Sequence, residues 1–300
     1  MSFTPIPESS ASLIASYSPP PPSSNPSVEI VQVLHRIRLL NHFRITPGSR
    51  VLEVGCGQGT CTVVLASAVG PDGHVDAIDP GSPDYGSPYT LKQAQEVIKG
   101  SEIGGRVDFW NEDLEGFLDG RKEEERWDCV VFTHCVWYLG GGEAALERMM
   151  ARLKGRVDRI LVAEWAMQIS HPAALPHLLA ASVRATLEAH NPSSSANIRC
   201  LLSPAGITAV AGRAGWEVER ETIVTPEEGL LDGGWEVGDV KSQGFVEEIE
   251  KGVKGEDGDG GERVKMVLRA GRDAVVKAVE MLKGEKVRSM DVWAATFTQT

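Results

Sequence analysis

Glu53 stands two residues ahead of Gly55, Gly57 and Gly59, and no other string in this chain is so well suited to chemistry. Alternating glycines let the backbone turn tightly and leave no Cβ between it and a ligand. A loop of this kind that holds a dinucleotide places its third glycine three residues after the second, with the pyrophosphate on a helix N-terminus. Here the spacing is Gly-x-Gly-x-Gly and an acid precedes it, which repels a pyrophosphate and suits a ligand carrying an ammonium and a sulfonium. Two more acids lie downstream at useful intervals. Asp79, in GHVDAIDP, comes twenty residues after Gly59, where paired hydrogen bonds hold a ribose diol. Asp113, in RVDFWNEDL, follows the next apolar stretch. Beyond them, THCVWYL carries His134, whose ring titrates near neutral pH and is the commonest proton acceptor in enzymes. Trp137, Tyr138 and Trp165 offer an aromatic wall for a planar or cationic molecule, or simply core packing.

These residues need a scaffold that brings strand ends together. Val51, Leu52 and Val54 suit a strand buried on both faces of a parallel sheet. A helix follows the glycines, with Thr60 or Thr62 as its cap and Val63, Val64, Leu65 and Ala66 as its buried side. Residues 73–80, 106–114, 127–133 and 157–164 read as the next four strands. Between them Leu91, Ala94, Val97 and Ile98, and then Leu146, Met149, Met150 and Leu153, recur at helical spacing. Residues 28–43 form an amphipathic helix with Ile30, Leu34 and Ile37 on one face, leaving Arg36 and Arg38 to solvent or to a cofactor carboxylate. Later come a helical insertion at 171–190, a helix from about Pro204, a sixth strand WEVERETIV, two helical patterns split by GEDGDGGE, and MDVWAATFT as a seventh, antiparallel strand. The expected fold class is α/β, a doubly wound, mostly parallel seven-stranded sheet. Its insertions at about 165–200 and 225–286 lie at the carboxyl ends of the strands and cover the substrate.

The strand, the Glu-x-Gly-x-Gly-x-Gly loop and the two following acids resemble the nucleotide-binding half of the class I S-adenosylmethionine-dependent methyltransferases, with the Rossmann-like fold of that family. The resemblance runs from about residue 28 to the end and is most specific over 50–165. It implies S-adenosylmethionine as cofactor, bordered by Glu53, Gly55, Cys56, Gly57, Gln58, Asp79, Pro80, Asp113, Leu114 and Thr133, with Asp113 near the adenine amino group. It further implies methyl transfer to a hydroxyl, or an amine, of a small metabolite, with His134 as base and Trp137, Tyr138 and Trp165 against the acceptor. SPAGITAVAGRAGWEVERE followed by DGGWEV is similar to fungal members associated with secondary metabolism. Where the family often has a small apolar residue after the second-strand acid, Pro80 opens the long loop GSPDYGSPYT.

Composition bounds the rest. Three hundred residues with 42% hydrophobic content can bury one large core. A net charge of −12 disfavours a nucleic-acid partner, because polyanion binding relies on clustered Lys and Arg. No apolar run is long enough for a membrane helix, and the N-terminus lacks a secretory pattern, so a cytoplasmic location is expected. Five irregularly spaced cysteines show neither a disulfide framework nor a zinc pattern, and no metal is expected. Residues 1–27, rich in Pro and Ser, read as a tail, or alternatively as a lid over the cofactor; residues 28–300 read as a single domain. Two rival functions share the fold: a non-methylating enzyme and a regulatory binding module. Oligomeric state is not legible.

Overall fold

The computed structural model describes residues 2–20, 27–191, 196–253 and 259–300. The chain opens with the short helix α1 (Ala11–Ala15) and the long α2 (Ser27–Phe43), and then alternates: β1 (Arg50–Val54), α3 (Thr60–Val69), β2 (His74–Ile78), α4 (Leu91–Lys99), β3 (Val107–Trp110), α5 (Leu114–Asp119), β4 (Trp127–Thr133), α6 (Gly142–Leu153) and β5 (Val157–Trp165). The second half runs α7 (Leu175–Glu188), α8 (Pro204–Arg213), β6 (Trp216–Val224), α9 (Asp232–Lys241), α10 (Gln243–Gly252), α11 (Asp259–Met281) and β7 (Val292–Gln299). The strand order is β3-β2-β1-β4-β5-β7-β6, parallel except for β7, which runs antiparallel to both its neighbours. The order reverses at β1, between β2 on one side and β4 on the other, so the crevice for a ligand opens beyond Val54.

β1 shows why its sequence is a strand. Val51 packs with α1, α2 and α3 on one face, while Leu52 and Val54 pack with α5, α6 and α8 on the other, following the period of two. In register, Trp165 pairs with Val292 and Val292 with Val224. The segments after β5 and β6, and the return into β7, therefore all meet the sheet along its carboxyl edge. There α7, α9, α10 and α11 build a separate small core from Ala180, Leu187, Val237, Phe245, Ile249 and Leu268. Arg184, buried inside it, is paired with Glu188, Asp239 and Glu248 and lies over the Phe245 ring, 4.6 Å from its centroid. The expectation of two helical patterns over 225–286 is thus corrected to three helices, the junction before α11 lying outside the described residues.

Two further expectations change. Residues 2–20 do not trail as a tail. Ala11, Ile14 and Ala15 are core residues, Asn41 pairs with the Ile6 backbone in both directions, and Arg38 forks onto Glu8. The apolar face of one short helix, embedded in Ser and Pro, was enough to anchor the segment. Neither Thr60 nor Thr62 caps α3. Gly59 occupies the N-cap at φ 93°, Thr62 donates 2.6 Å to Glu53 Oε2, and Thr60 approaches Glu29 at 3.4 Å. Among the described residues no helix is long and apolar enough to cross a membrane.

Candidate active site

The glycine loop is held open by its own backbone. Gly55, Gly57 and Gly59 all have positive φ, but a Cβ would meet different things at each. At Gly55 it would lie 2.6 Å from Cys135 Cβ, and at Gly59 2.4 Å from Ile98 Cδ1. At Gly57 it would meet nothing within 4 Å. The first and third glycines serve close packing, and the second faces the open cradle. Asp79 fastens that cradle: one carboxylate oxygen accepts from the Gly57 N–H and the other from the Gly81 N–H, each at 2.8 Å. Glu53 is buried beneath the loop, and desolvation pushes its carboxyl up to about 7 against the opposing bonds from Thr62 and Cys61. A cationic ligand above it would favour the charged form.

The remaining cofactor-side expectations sort by contact. Asp113 is the N-cap of α5, accepting from Gly116 N at 2.7 Å, and stays exposed. Asn111, which the sequence reading passed over, donates to the Asp79 and Gly81 carbonyls at 2.9 and 2.6 Å and so shapes the loop that begins at Pro80. Gln58 donates to the Tyr89 carbonyl. Cys56 and Leu114 are buried, and Thr133 accepts from the Cys61 thiol at 3.7 Å. The thiols of Cys56, Cys61 and Cys135 are all driven well above their usual range by burial, so they pack as neutral groups. Tyr89 in turn donates 2.8 Å to the Pro20 carbonyl, which brings the N-terminal segment against the loop that borders the cradle.

Beyond β4 the chain makes a left-handed step at His134, φ 52°, an uncommon conformation for a residue with a side chain. That step turns the imidazole inward against Trp165, at 4.3 Å between ring centroids. Two other histidines join it: His35 from α2, stacked on His134 at 5.3 Å, and His177 from α7, edge-on to Trp165 at 4.9 Å. The Nε2 atoms of His35 and His134 are 3.1 Å apart. His134 Nδ1 lies 3.6 Å from Glu164 Oε1, and His35 Nδ1 lies 3.4 Å from Glu227 Oε2; among the described residues neither approach is a full hydrogen bond. Desolvation lowers His35 to about 4 and His134 to about 3, so both rings are neutral at pH 7. Glu164 accepts from the Val136, Trp137 and Trp165 N–H groups, and burial still raises it to about 7.

The expected aromatic wall is redistributed. Trp137 is a core residue whose indole donates to the Leu202 carbonyl at 2.9 Å, which ties the turn after β4 to the segment before α8. Trp165 is buried at the centre of the three histidines. Tyr138 is 38% exposed, and its phenol is pushed up by desolvation and by the charges of Glu236, Glu164 and Asp232. Two of these acids, Asp232 and Glu236, are four residues apart on α9 and share one helix face. Asp232 accepts from Gln32 at 2.8 Å and feels Arg36, His134 and His35, while Glu236 is raised to about 7 by burial and by the acids beside it. Neither α9 acid nor His35 carried a spacing signal, because each belongs to a different element from the groups it meets.

His74, Asp76 and Asp108 form a second cluster at the opposite, amino end of β2 and β3. It is a structural ion network: Asp76 holds Arg50 at 2.9 Å and the Trp127 and Trp110 indoles at 2.8 and 3.2 Å, and Asp108 holds Lys99 at 3.1 Å.

Residues 51–156 match a methyltransferase domain family, and residues 15–83 match the protein-L-isoaspartate(D-aspartate) O-methyltransferase family. The methyltransferase phomM of Diaporthe leptostromiformis is 28% identical over 284 residues, covering 82% of this chain and 72% of that protein. The crystal structure of a cyclopropane-fatty-acyl-phospholipid synthase-like protein from Lactobacillus casei superposes with a TM-score of 0.83 at 30% identity, over 97% of this chain and all of that one.

Proposed function

This chain belongs to the class I S-adenosylmethionine-dependent methyltransferases, and from that premise we propose that its methyl acceptor is a small molecule bearing an amine. The observation that supports the amine is the α9 face: the charges of Asp232 and Glu236 act on the Tyr138 phenol, and that of Asp232 on His134, so together they would draw a cationic group toward His134. Bound S-adenosylmethionine supplies a methyl group already activated by its sulfonium. The open cradle at Gly57, the Asp79 carboxylate and buried Glu53 fit that cofactor, and Asp113 keeps one carboxylate oxygen for the adenine side. The residues of the chain then have three tasks: to align the acceptor nitrogen in line with the methyl, to exclude water, and to remove the proton that an ammonium carries. A hydroxyl acceptor is the second reading, favoured by the unpartnered Nδ1 of His134, which suits a base poised beside an O–H.

The test is labelled S-adenosylmethionine incubated with the protein and a metabolite extract, followed by mass spectrometry of the labelled products. A labelled N-methyl product is expected. The doubly neutralised variant Asp232→Asn with Glu236→Gln should raise the acceptor KM about ten- to a hundredfold, as loss of charge-assisted contacts would, and leave cofactor affinity alone. Labelled ethers with an unchanged KM in that variant would establish the hydroxyl reading instead.

Asp79 gives a cofactor-side prediction. Asp79→Ala leaves a ribose diol and two loop N–H groups without their acceptor, and a hydrogen bond to a charged group contributes about 1.5–3 kcal/mol. S-adenosylmethionine affinity by calorimetry should fall about ten- to a hundredfold. Asp113→Ala should cost less, because Leu114 and the neighbouring apolar surface still hold the adenine. Unchanged affinity in the Asp79 variant would move the ribose site elsewhere along the loop from Pro80.

A further inference from the structure

We propose that His35 and Glu227 are positioning residues that fix the tautomer of His134 and draw the acceptor's proton away toward Glu227. The inference rests on the reading that the acceptor loses a proton at this site, and holds for an amine or a hydroxyl alike. Four side chains from four parts of the chain form a line: Glu227 after β6, His35 on α2, His134 after β4 and Glu164 on β5, with steps of 3.4, 3.1 and 3.6 Å. Two neutral imidazoles facing each other through Nε2 must divide one proton, one ring donating and the other accepting. Glu227 decides which. Burial opposes its charge, but His35 and, more weakly, Arg38, 2.7 Å from Oε1, hold the Glu227 carboxyl below its usual range, so its other oxygen favours an N–H on His35 Nδ1. His35 Nε2 is then bare and accepts from His134 Nε2–H, which leaves the lone pair of His134 on Nδ1.

That is the form a base requires. When Nδ1 of His134 takes the acceptor's proton, Nε2–H passes its proton to His35, and His35 Nδ1–H passes its own to Glu227. One proton arrives at His134 and one comes to rest on Glu227, and nothing is oxidised or reduced. The Glu227 carboxylate oxygens are themselves buried and lie against Arg38, which is 35% exposed, so the line ends one side chain below the surface, whereas His35 and His134 are buried. The other charged groups facing the pair are Arg36 on α2 and Asp232 on α9, and His177 on α7 stands across Trp165. None of these reaches either Nε2 in the hydrogen bonds of the described residues, so the tautomer is set along the line.

The test compares His35→Phe with His35→Gln. Phe keeps a ring against His134 and Trp165 but cannot accept from Nε2–H; the Gln side-chain oxygen can. Nitrogen-15 NMR of the free protein should show His134 protonated at Nε2 in wild type and in His35→Gln, and protonated at Nδ1 in His35→Phe, where Glu164 is the remaining acceptor. Label incorporation from S-adenosylmethionine into the extract should fall about a hundredfold in His35→Phe, with cofactor affinity unchanged, and by much less in His35→Gln. An Nδ1–H on wild-type His134, or equal turnover in the two variants, overturns the proposal. Absence of any labelled product with wild-type protein would instead sink the acceptor reading, while the NMR result would still judge the tautomer.

Discussion

Gly57→Val should leave the chain folded and unable to bind S-adenosylmethionine. Gly57 has φ 53°, and a Cβ there enters space with no protein atom within 4 Å, so the substitution does not collide with the core. Its cost to folding is the strain of a β-branched residue in the left-handed region, of the order of 1–3 kcal/mol. Its cost to binding is far larger, because the added methyl groups occupy the open cradle itself. Calorimetry should find no detectable heat with S-adenosylmethionine, while circular dichroism retains the folded spectrum. Gly55→Val is the contrasting control. Its Cβ would sit 2.6 Å from Cys135 Cβ, against the turn that carries His134, so that variant should lose folded protein as well as binding. Wild-type affinity in Gly57→Val would place the cofactor elsewhere.

Replacing His134 with Asn should lower turnover by about two to four orders of magnitude while cofactor affinity stays near wild type. Asn is the informative substitution because it tolerates the left-handed backbone that this position adopts. It removes Nδ1, the one buried nitrogen of the ring left without a partner, and keeps a side chain of moderate size beside Trp165. The residual rate should recover as pH rises, since an acceptor already deprotonated in solution needs no base. Near-normal turnover would make His134 a packing residue of the Trp165 cluster. The acceptor would then lose its proton to water or to Glu236, whose carboxyl burial raises to about 7.

Much of this protein was legible in order. The apolar strands, the alternating glycines and the interval to Asp79 are local patterns, and local patterns survive folding because the backbone geometry of each depends on its own residues. Hence β1 to β7 lie where the sequence expects them, and Glu53, Gly57 and Asp79 converge on one cradle. The anchoring of residues 2–20 was less visible, since three small apolar side chains among Ser and Pro give little periodic signal. Thr62 looked like a cap and became a partner of Glu53, because the hydroxyl that a helix start could use was closer to a buried carboxylate.

The glycine loop and its partners were readable from local order alone: a strand, a loop without Cβ atoms and acids at strand ends lie close along the chain, and Asp79 does meet the Gly57 N–H. The chamber around His134 arises from folding instead. His35, Glu164 and Asp232 come from three separate elements and His134 and Glu227 from two connecting segments, and no interval between them is fixed by a helix or strand period. What brings them together is the carboxyl edge of the sheet, where β5, β6 and β7 turn in register and the cap folds back over β4. Their protonation follows from that burial, a property of the assembled chamber that no residue carries alone.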